Sequence, residues 1–243
     1  MKLHLATLAF CCTLLASTFA APTVFMIGDS TMADYSSDRP VRGWGMAVGA
    51  LLREPAVVKN HAASGGSTKS FIDEGRWDKV LAALQAGDFV IIQFAHNDEK
   101  KEDPKRYTDP ATSFRDNLRR FVRETRAKGA EPMLATPVSR RKFNAEGKLV
   151  PTHGAYPDAV RAVAAEEKVP LLDLEQATAR WLQETGDEPS KKYFVWLAPG
   201  AHPKYPEGSR DDTHFVAAGA KAVAELAAAQ IREQKLPLAQ WLK

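Results

Sequence analysis

Short apolar runs separated by longer amphipathic stretches set the pattern of this chain. The runs are Val24 to Ile27, Ala56 to Val58, Phe89 to Phe94, Pro132 to Ala135 and Pro170 to Leu174. Each is brief enough for a strand buried on both faces. Between them lie segments with helical spacing. One begins at Thr112-Ser113, sets Phe114, Leu118, Phe121, Val122 and Thr125 on one face and stops at Gly129. A second, around Leu174 to Thr185, turns Ala177, Trp181 and Leu182 inward and ends at Gly186. The last, Val216 to Gln234, is alanine-rich and offers no capping side chain at its start. This alternation predicts an α/β fold, a three-layer α/β/α sandwich around a five-stranded parallel sheet.

The first residues follow another pattern. Met1 to Ala21 carries Lys2, an apolar core from Leu5 to Leu15, and the small residues Ser17, Thr18, Ala20 and Ala21 ahead of Pro22. That is a secretory signal, with a core too short to span a bilayer. The expectation is a secreted or periplasmic protein with no membrane association after cleavage, and residues 22–243 forming a single domain. Cys11 and Cys12 both lie in the signal, so the mature chain has no thiol. A cysteine nucleophile, a disulfide and a thiolate metal site are thereby excluded. The formal charge of +3, reduced by one when Lys2 leaves, is too small to argue for a nucleic-acid partner. From Glu99 to Lys148, however, fourteen Lys and Arg face eight Asp and Glu.

Polar residues cluster where the apolar runs stop. Gly28-Asp29-Ser30-Thr31 follows the first run and delivers a small hydroxyl at the carboxyl end of a strand, where open α/β sheets hold their ligands. Ser30 is the candidate nucleophile, set against the plainer reading of a helix-capping turn. The second run leads into Asn60-His61-Ala62-Ala63-Ser64-Gly65-Gly66-Ser67, a small-residue loop able to offer backbone N–H groups. The third ends at Ala95-His96-Asn97-Asp98, and Asp211-Asp212-Thr213-His214 precedes the last helix. Ester cleavage needs a nucleophile, a base, a group that fixes the base's tautomer, and donors for the oxyanion. Ser30 supplies the first and His214 the second, while Asp211, three residues earlier in what reads as a loop, can reach the other imidazole nitrogen. Asp29 reads as an organiser of its turn, His96 as a structural neighbour of Asn97, and His61 and His202 as loop histidines. Trp44, between Gly43 and Gly45, is a candidate wall of the cleft, and His153 a candidate lining residue. A zinc site from His96, Asp98, His202 and His214 would have irregular spacing and no His-x-x-x-His helix, so neither a metal nor another cofactor is expected.

Taken together, these blocks resemble the SGNH, or GDSL, hydrolases: Gly28-Asp29-Ser30 the first, Gly65 the second, His96-Asn97-Asp98 the third and Asp211-x-x-His214 the last. The resemblance implies a flavodoxin-like three-layer fold and an oxyanion hole built from the N–H groups of Ser30 and Gly65 and the Asn97 amide. The residues themselves leave Gly65 and Gly66 open, and the family spacing favours Gly65. Ser70 through Trp77, Thr136 through Arg141, His153 through Pro157, Pro199-Gly200, and Tyr205 through Gly208 look more narrowly like rhamnogalacturonan acetylesterases. That implies an acetylated pectic polysaccharide or oligosaccharide as substrate, with Arg140 and Arg141 suited to the galacturonate carboxylate. One departure is Ala95, where glycine more often precedes His-Asn-Asp, expected to be tolerated as a single added methyl. The competing readings are a lipase or thioesterase of the same superfamily, an acetylesterase acting on xylan, and a non-catalytic carbohydrate-binding module.

Overall fold

The computed structural model describes residues 21–243, so all but the last residue of the predicted secretory signal lies outside the described residues. The strands are β1 (Thr23–Gly28), β2 (Val57–Asn60), β3 (Phe89–Gln93), β4 (Glu131–Ala135) and β5 (Leu171–Leu172), within a residue or two of the apolar runs at most ends. They form one parallel sheet in the order β2-β1-β3-β4-β5. A β1 flanked by β2 on one side and β3 on the other marks the reversal of strand order that opens a crevice at the carboxyl edge. Two further strands, β6 (Phe194–Leu197) and β7 (Ser209–Phe215), pair antiparallel as a separate hairpin. The sequence reading did not foresee it.

The helices are α1 (Gly45–Val48), α2 (Thr68–Asp73), α3 (Arg76–Ala83), α4 (Ser113–Ala127), α5 (Tyr156–Glu167), α6 (Leu174–Thr185), α7 (Asp187–Ser190) and α8 (Ala217–Glu233). Strand alternation sorts the core into two halves. Val24 and Met26 of β1, with Phe89 and Ile91 of β3, face Leu174 and Leu182 of α6, the alanine face of α8, and Phe194 and Phe215 of the hairpin. Phe25 and Ile27, with Val90 and Ile92, face Phe71 of α2, Trp77 of α3, Phe121 of α4 and Val160 of α5. In α4 the predicted Phe114, Leu118, Phe121, Val122 and Thr125 are the buried positions. In α6 only Leu182 of the three predicted residues is buried; Thr178 takes a core place, and Trp181 packs on Tyr193 with centroids 4.7 Å apart. Much of the positive stretch is absorbed between helices: Arg115 and Arg119 pair with Glu166 of α5, and Arg123 with Glu167. Among the described residues no helix is long and apolar enough to cross a membrane.

Candidate active site

β1 ends at Gly28, where a Cβ would stand 2.6 Å from the Gln93 carbonyl oxygen of β3, so only glycine lets the two strands lie this close. The chain then turns, with the N–H groups of Met32 and Ala33 donating to the Asp29 carbonyl at 3.2 and 3.1 Å. Asp29 Oδ1 accepts from the Thr31 N–H at 2.9 Å and the Thr31 hydroxyl at 2.8 Å, which fixes the turn that presents Ser30. Gln93 Nε2 braces the same hydroxyl at 2.8 Å. Burial alone would raise the Asp29 carboxyl, but His96 and the Thr31 donors together hold it below the ordinary value. Its Oδ2 accepts from His96 Nδ1 at 3.1 Å; burial pushes that ring down to about 4, so His96 is a neutral donor in the support of the turn.

Asp211 and His214 lie in β7, not in a loop. In a regular strand residues three apart point to opposite faces, and the pair could not meet. Here Val195 pairs with Asp211 while its neighbour Phe194 pairs with Phe215, so residues 212–214 bulge out of the ladder. Asp211 Oδ1 closes the bulge by accepting the N–H groups of Thr213 at 2.8 Å and His214 at 2.9 Å. Oδ2 accepts from His214 Nδ1 at 2.7 Å, and His214 Nε2 stands 2.9 Å from Ser30 Oγ. A carboxylate only accepts, so the ring proton is on Nδ1 and the Nε2 lone pair faces the serine hydroxyl. Burial opposes ionisation of Asp211, yet the His214 contacts and the two backbone donors outweigh it and lower its pKa.

The other expected donors come from loops tied to this point. The Ala63 N–H donates to the Gly28 carbonyl at 2.9 Å and Asn97 Nδ2 to the Gly66 carbonyl at 2.9 Å, drawing both loops onto the end of β1. The Gly66 N–H is consumed by the Ala63 carbonyl at 3.0 Å, whereas the N–H groups of Gly65 and Ser30 have no acceptor among the described residues. This separates Gly65 from Gly66, which the sequence alone could not. Gly65 has φ +79, a left-handed conformation that suits glycine. Ala95 lies at φ 146, a region that side chains disfavour, so it carries backbone strain and not merely an added methyl.

Four residues expected at the substrate do not reach it with free groups. Trp44 is fully buried and donates its indole N–H to Gln93 Oε1 at 2.6 Å, so it is a core residue. Arg141 is 5% exposed; its Nε donates to Asp212 Oδ1 at 2.8 Å, it pairs with Asp187, and it packs 4.8 Å over the Trp196 ring, locking the hairpin to the body. Arg140 is spent on Glu99, Thr152 and His153. His153 is buried with Nε2 on the Val138 carbonyl at 3.0 Å and Nδ1 3.1 Å from Glu99 Oε2, and it packs edge-on against His96. Among the described residues no three His, Asp or Glu side chains group as metal ligands.

One neighbour of the site escaped the sequence reading. Tyr35 donates its hydroxyl to the Ser30 carbonyl at 2.9 Å, and burial raises its phenol, keeping it a donor. Nothing in the sequence set this tyrosine apart from others near loops. Of Lys100, Lys101, Lys105 and Arg106, which follow Asn97 after the third strand and so are expected by sequence on the rim that holds Ser30, Arg106 lies 3.4 Å from Asn97 Oδ1.

A serine, histidine and aspartate joined in one hydrogen-bonded line at the carboxyl edge of a parallel sheet define a serine hydrolase. The chain belongs to the GDSL-like lipase/acylhydrolase family, whose model matches residues 26–222. It is 44% identical over 216 residues to the rhamnogalacturonan acetylesterase RhgT of Bacillus subtilis (strain 168), covering 88% of this chain and 91% of that protein. It is 36% identical over 215 residues to the probable rhamnogalacturonan acetylesterase YesY of the same organism, covering 88% and 94%. The crystal structure of protein YxiM from Bacillus subtilis matches with a TM-score of 0.77 at 26% identity, over 90% of this chain but 58% of that one, so the chain spans less than two thirds of it. Axe2, an acetylxylan esterase from Geobacillus stearothermophilus, matches with a TM-score of 0.59 at 18% identity over 86% and 94%, a likeness of fold alone.

Proposed function

We propose that the protein removes O-acetyl groups from rhamnogalacturonan or its oligosaccharides through an acyl-enzyme, as an exported serine carbohydrate esterase. The observation that carries the mechanism is the line Ser30 Oγ, His214 Nε2, His214 Nδ1, Asp211 Oδ2, with links of 2.9 and 2.7 Å. Ser30 Oγ attacks the acetyl carbonyl while His214 takes its proton, and Asp211 holds the ring and steadies the imidazolium. The N–H groups of Ser30 and Gly65 and the Asn97 amide receive the oxyanion. His214 then returns the proton to the departing sugar oxygen, and a water repeats the sequence on the acetyl-serine. The names of the two Bacillus relatives, matched over nearly the whole described chain, favour the pectic substrate. Export rests on the composition of Met1 to Ala21.

The test is acetate release from acetylated rhamnogalacturonan, xylan and chitin fragments beside 4-nitrophenyl esters of increasing acyl length. The expected result is fastest release from rhamnogalacturonan and a preference for acetyl. Faster cleavage of long acyl chains would return the lipase reading, and faster release from xylan the xylan one. Failure of an organophosphate to label Ser30 would leave a binding module.

A further inference from the structure

The loop that leaves β3 carries four cations, Lys100, Lys101, Lys105 and Arg106, among Glu99, Glu102 and Asp103. Arg106 differs from the rest in what it touches. Its Nε donates to Asp103 Oδ2 at 2.6 Å, which anchors the guanidinium, and the side chain remains about a third exposed. Its Nη1 stands 3.4 Å from Asn97 Oδ1 and 3.7 Å from where a Cβ on Gly65 would lie, so it borders both loop-borne oxyanion donors at once. Nη2 has no hydrogen-bond partner among the described residues. The two arginines that the sequence singled out for an anion, Arg140 and Arg141, are consumed by Glu99, Asp187 and Asp212.

We propose that Arg106 is the carboxylate-reading residue of this site, binding the carboxylate of the uronate unit that carries or adjoins the acetyl ester. The inference rests on the pectic reading of the substrate given above. With the acetyl carbon at Ser30 and its oxygen on the donors beside Arg106, the sugar that carries the ester lies next to the same residues. A fixed guanidinium with unspent N–H groups meets a planar carboxylate there with directed, charge-assisted bonds. Asp103 neutralises one edge of the fork and leaves the other for the ligand. A neutral hexose ester offers this edge only a hydroxyl, so Arg106 makes a charged polymer the better substrate.

The experiment compares kcat/KM for three substrates: acetylated rhamnogalacturonan, the same polymer with its carboxyl groups reduced to alcohols, and 4-nitrophenyl acetate. The enzymes are wild type, Arg106→Gln and Arg106→Lys, each checked for its melting temperature. The wild type is expected to favour the carboxylate polymer over the reduced one by about 10- to 100-fold, the span of one charge-assisted contact, and Arg106→Gln to abolish that preference. Arg106→Lys, a point charge without the fork, restores part of it. An equal loss on all three substrates overturns the proposal and assigns Arg106 to polarising the Asn97 amide. Were Arg106→Gln not to fold, the wild type alone would still decide, since equal rates on the native and reduced polymers also overturn it. A wild type that cleaves 4-nitrophenyl acetate but releases acetate from neither polymer refutes the pectic reading itself, and this proposal with it.

Discussion

Arg141→Ala separates two roles for one guanidinium, clamp of the hairpin or reader of the substrate. The substitution removes the Nε bond to Asp212 Oδ1 at 2.8 Å, the Nη1 bond to the Asp187 carbonyl at 3.1 Å, the pair with Asp187, and the packing 4.8 Å over Trp196. Asp212 and Asp187 are 40% and 47% exposed, so each freed carboxylate recovers water and each pair is discounted to about 1 kcal/mol. The cation–π contact adds about 1 kcal/mol, and the loss of a buried aliphatic stem about as much again. The sum, about 3 to 4 kcal/mol, lowers the melting temperature by roughly 6 to 15 °C for a chain of this size. Thermal unfolding followed by circular dichroism, with kcat/KM on 4-nitrophenyl acetate and on acetylated rhamnogalacturonan, reads both consequences. The expected outcome is a large drop in melting temperature and similar activity losses on the two esters, because the loosened hairpin carries His214. An unchanged melting temperature with a loss confined to the polymer would refute the clamp.

Three further outcomes follow from the site. Ser30→Ala and His214→Ala should each abolish most turnover of 4-nitrophenyl acetate, and the double variant should lose little more, whereas multiplying losses would mean they do not act as a unit. Asn97→Ala should lower kcat by about 10²–10³ with a smaller change in KM, and near-normal kcat would remove Asn97 from the oxyanion role. Asp98 and His96 set opposing pH slopes. Burial raises Asp98 to about 7, above its ordinary 3.8, so the folded state holds a proton the unfolded chain has released and stability falls as pH rises through that window. His96 is lowered from 6.5 to about 4, so the unfolded chain binds a proton the folded state refuses and stability falls as pH drops through that window. Asp98→Asn leaves only the second, and its melting temperature should fall more steeply than the wild type's from pH 6.5 to 4; parallel curves would contradict the raised Asp98.

The sheet was legible because its strands are buried on both faces and announce themselves as continuous apolar runs. Ser30, His96 and Asn97 stand where such runs break, so their place on the carboxyl edge followed. The hairpin was not legible: Ser209 to His214 has no apolar alternation, and Asp211 with His214 reads as a loop until the bulge opposite Phe194 and Val195 is seen. Trp44 misled through its flanking glycines. A Cβ on Gly43 would lie 2.2 Å from the Ala33 carbonyl oxygen, so that glycine serves a close backbone approach and says nothing of a cleft. Arg141 misled for another reason. Charge is visible in a sequence, but its partner here is Asp212, 71 residues away, and only the fold shows that the charge is spent. Arg106 was hidden among lysines because its distinction is a contact with Asn97, not a composition.

The nucleophile and its base come from different sheets. Ser30 issues from β1, an interior strand of the parallel sheet, while His214 rides on a two-stranded hairpin held by Arg141, by the Arg42 N–H on the Phe215 carbonyl at 2.8 Å, and by Phe194 and Phe215 in the core half that contains Val24 and Met26 of β1. With those side chains shared, ribbon and sheet melt as one unit. Heating should therefore end activity and the far-ultraviolet signal at the same temperature, and any change that loosens the small antiparallel ribbon is felt by the parallel core on which the chain is built.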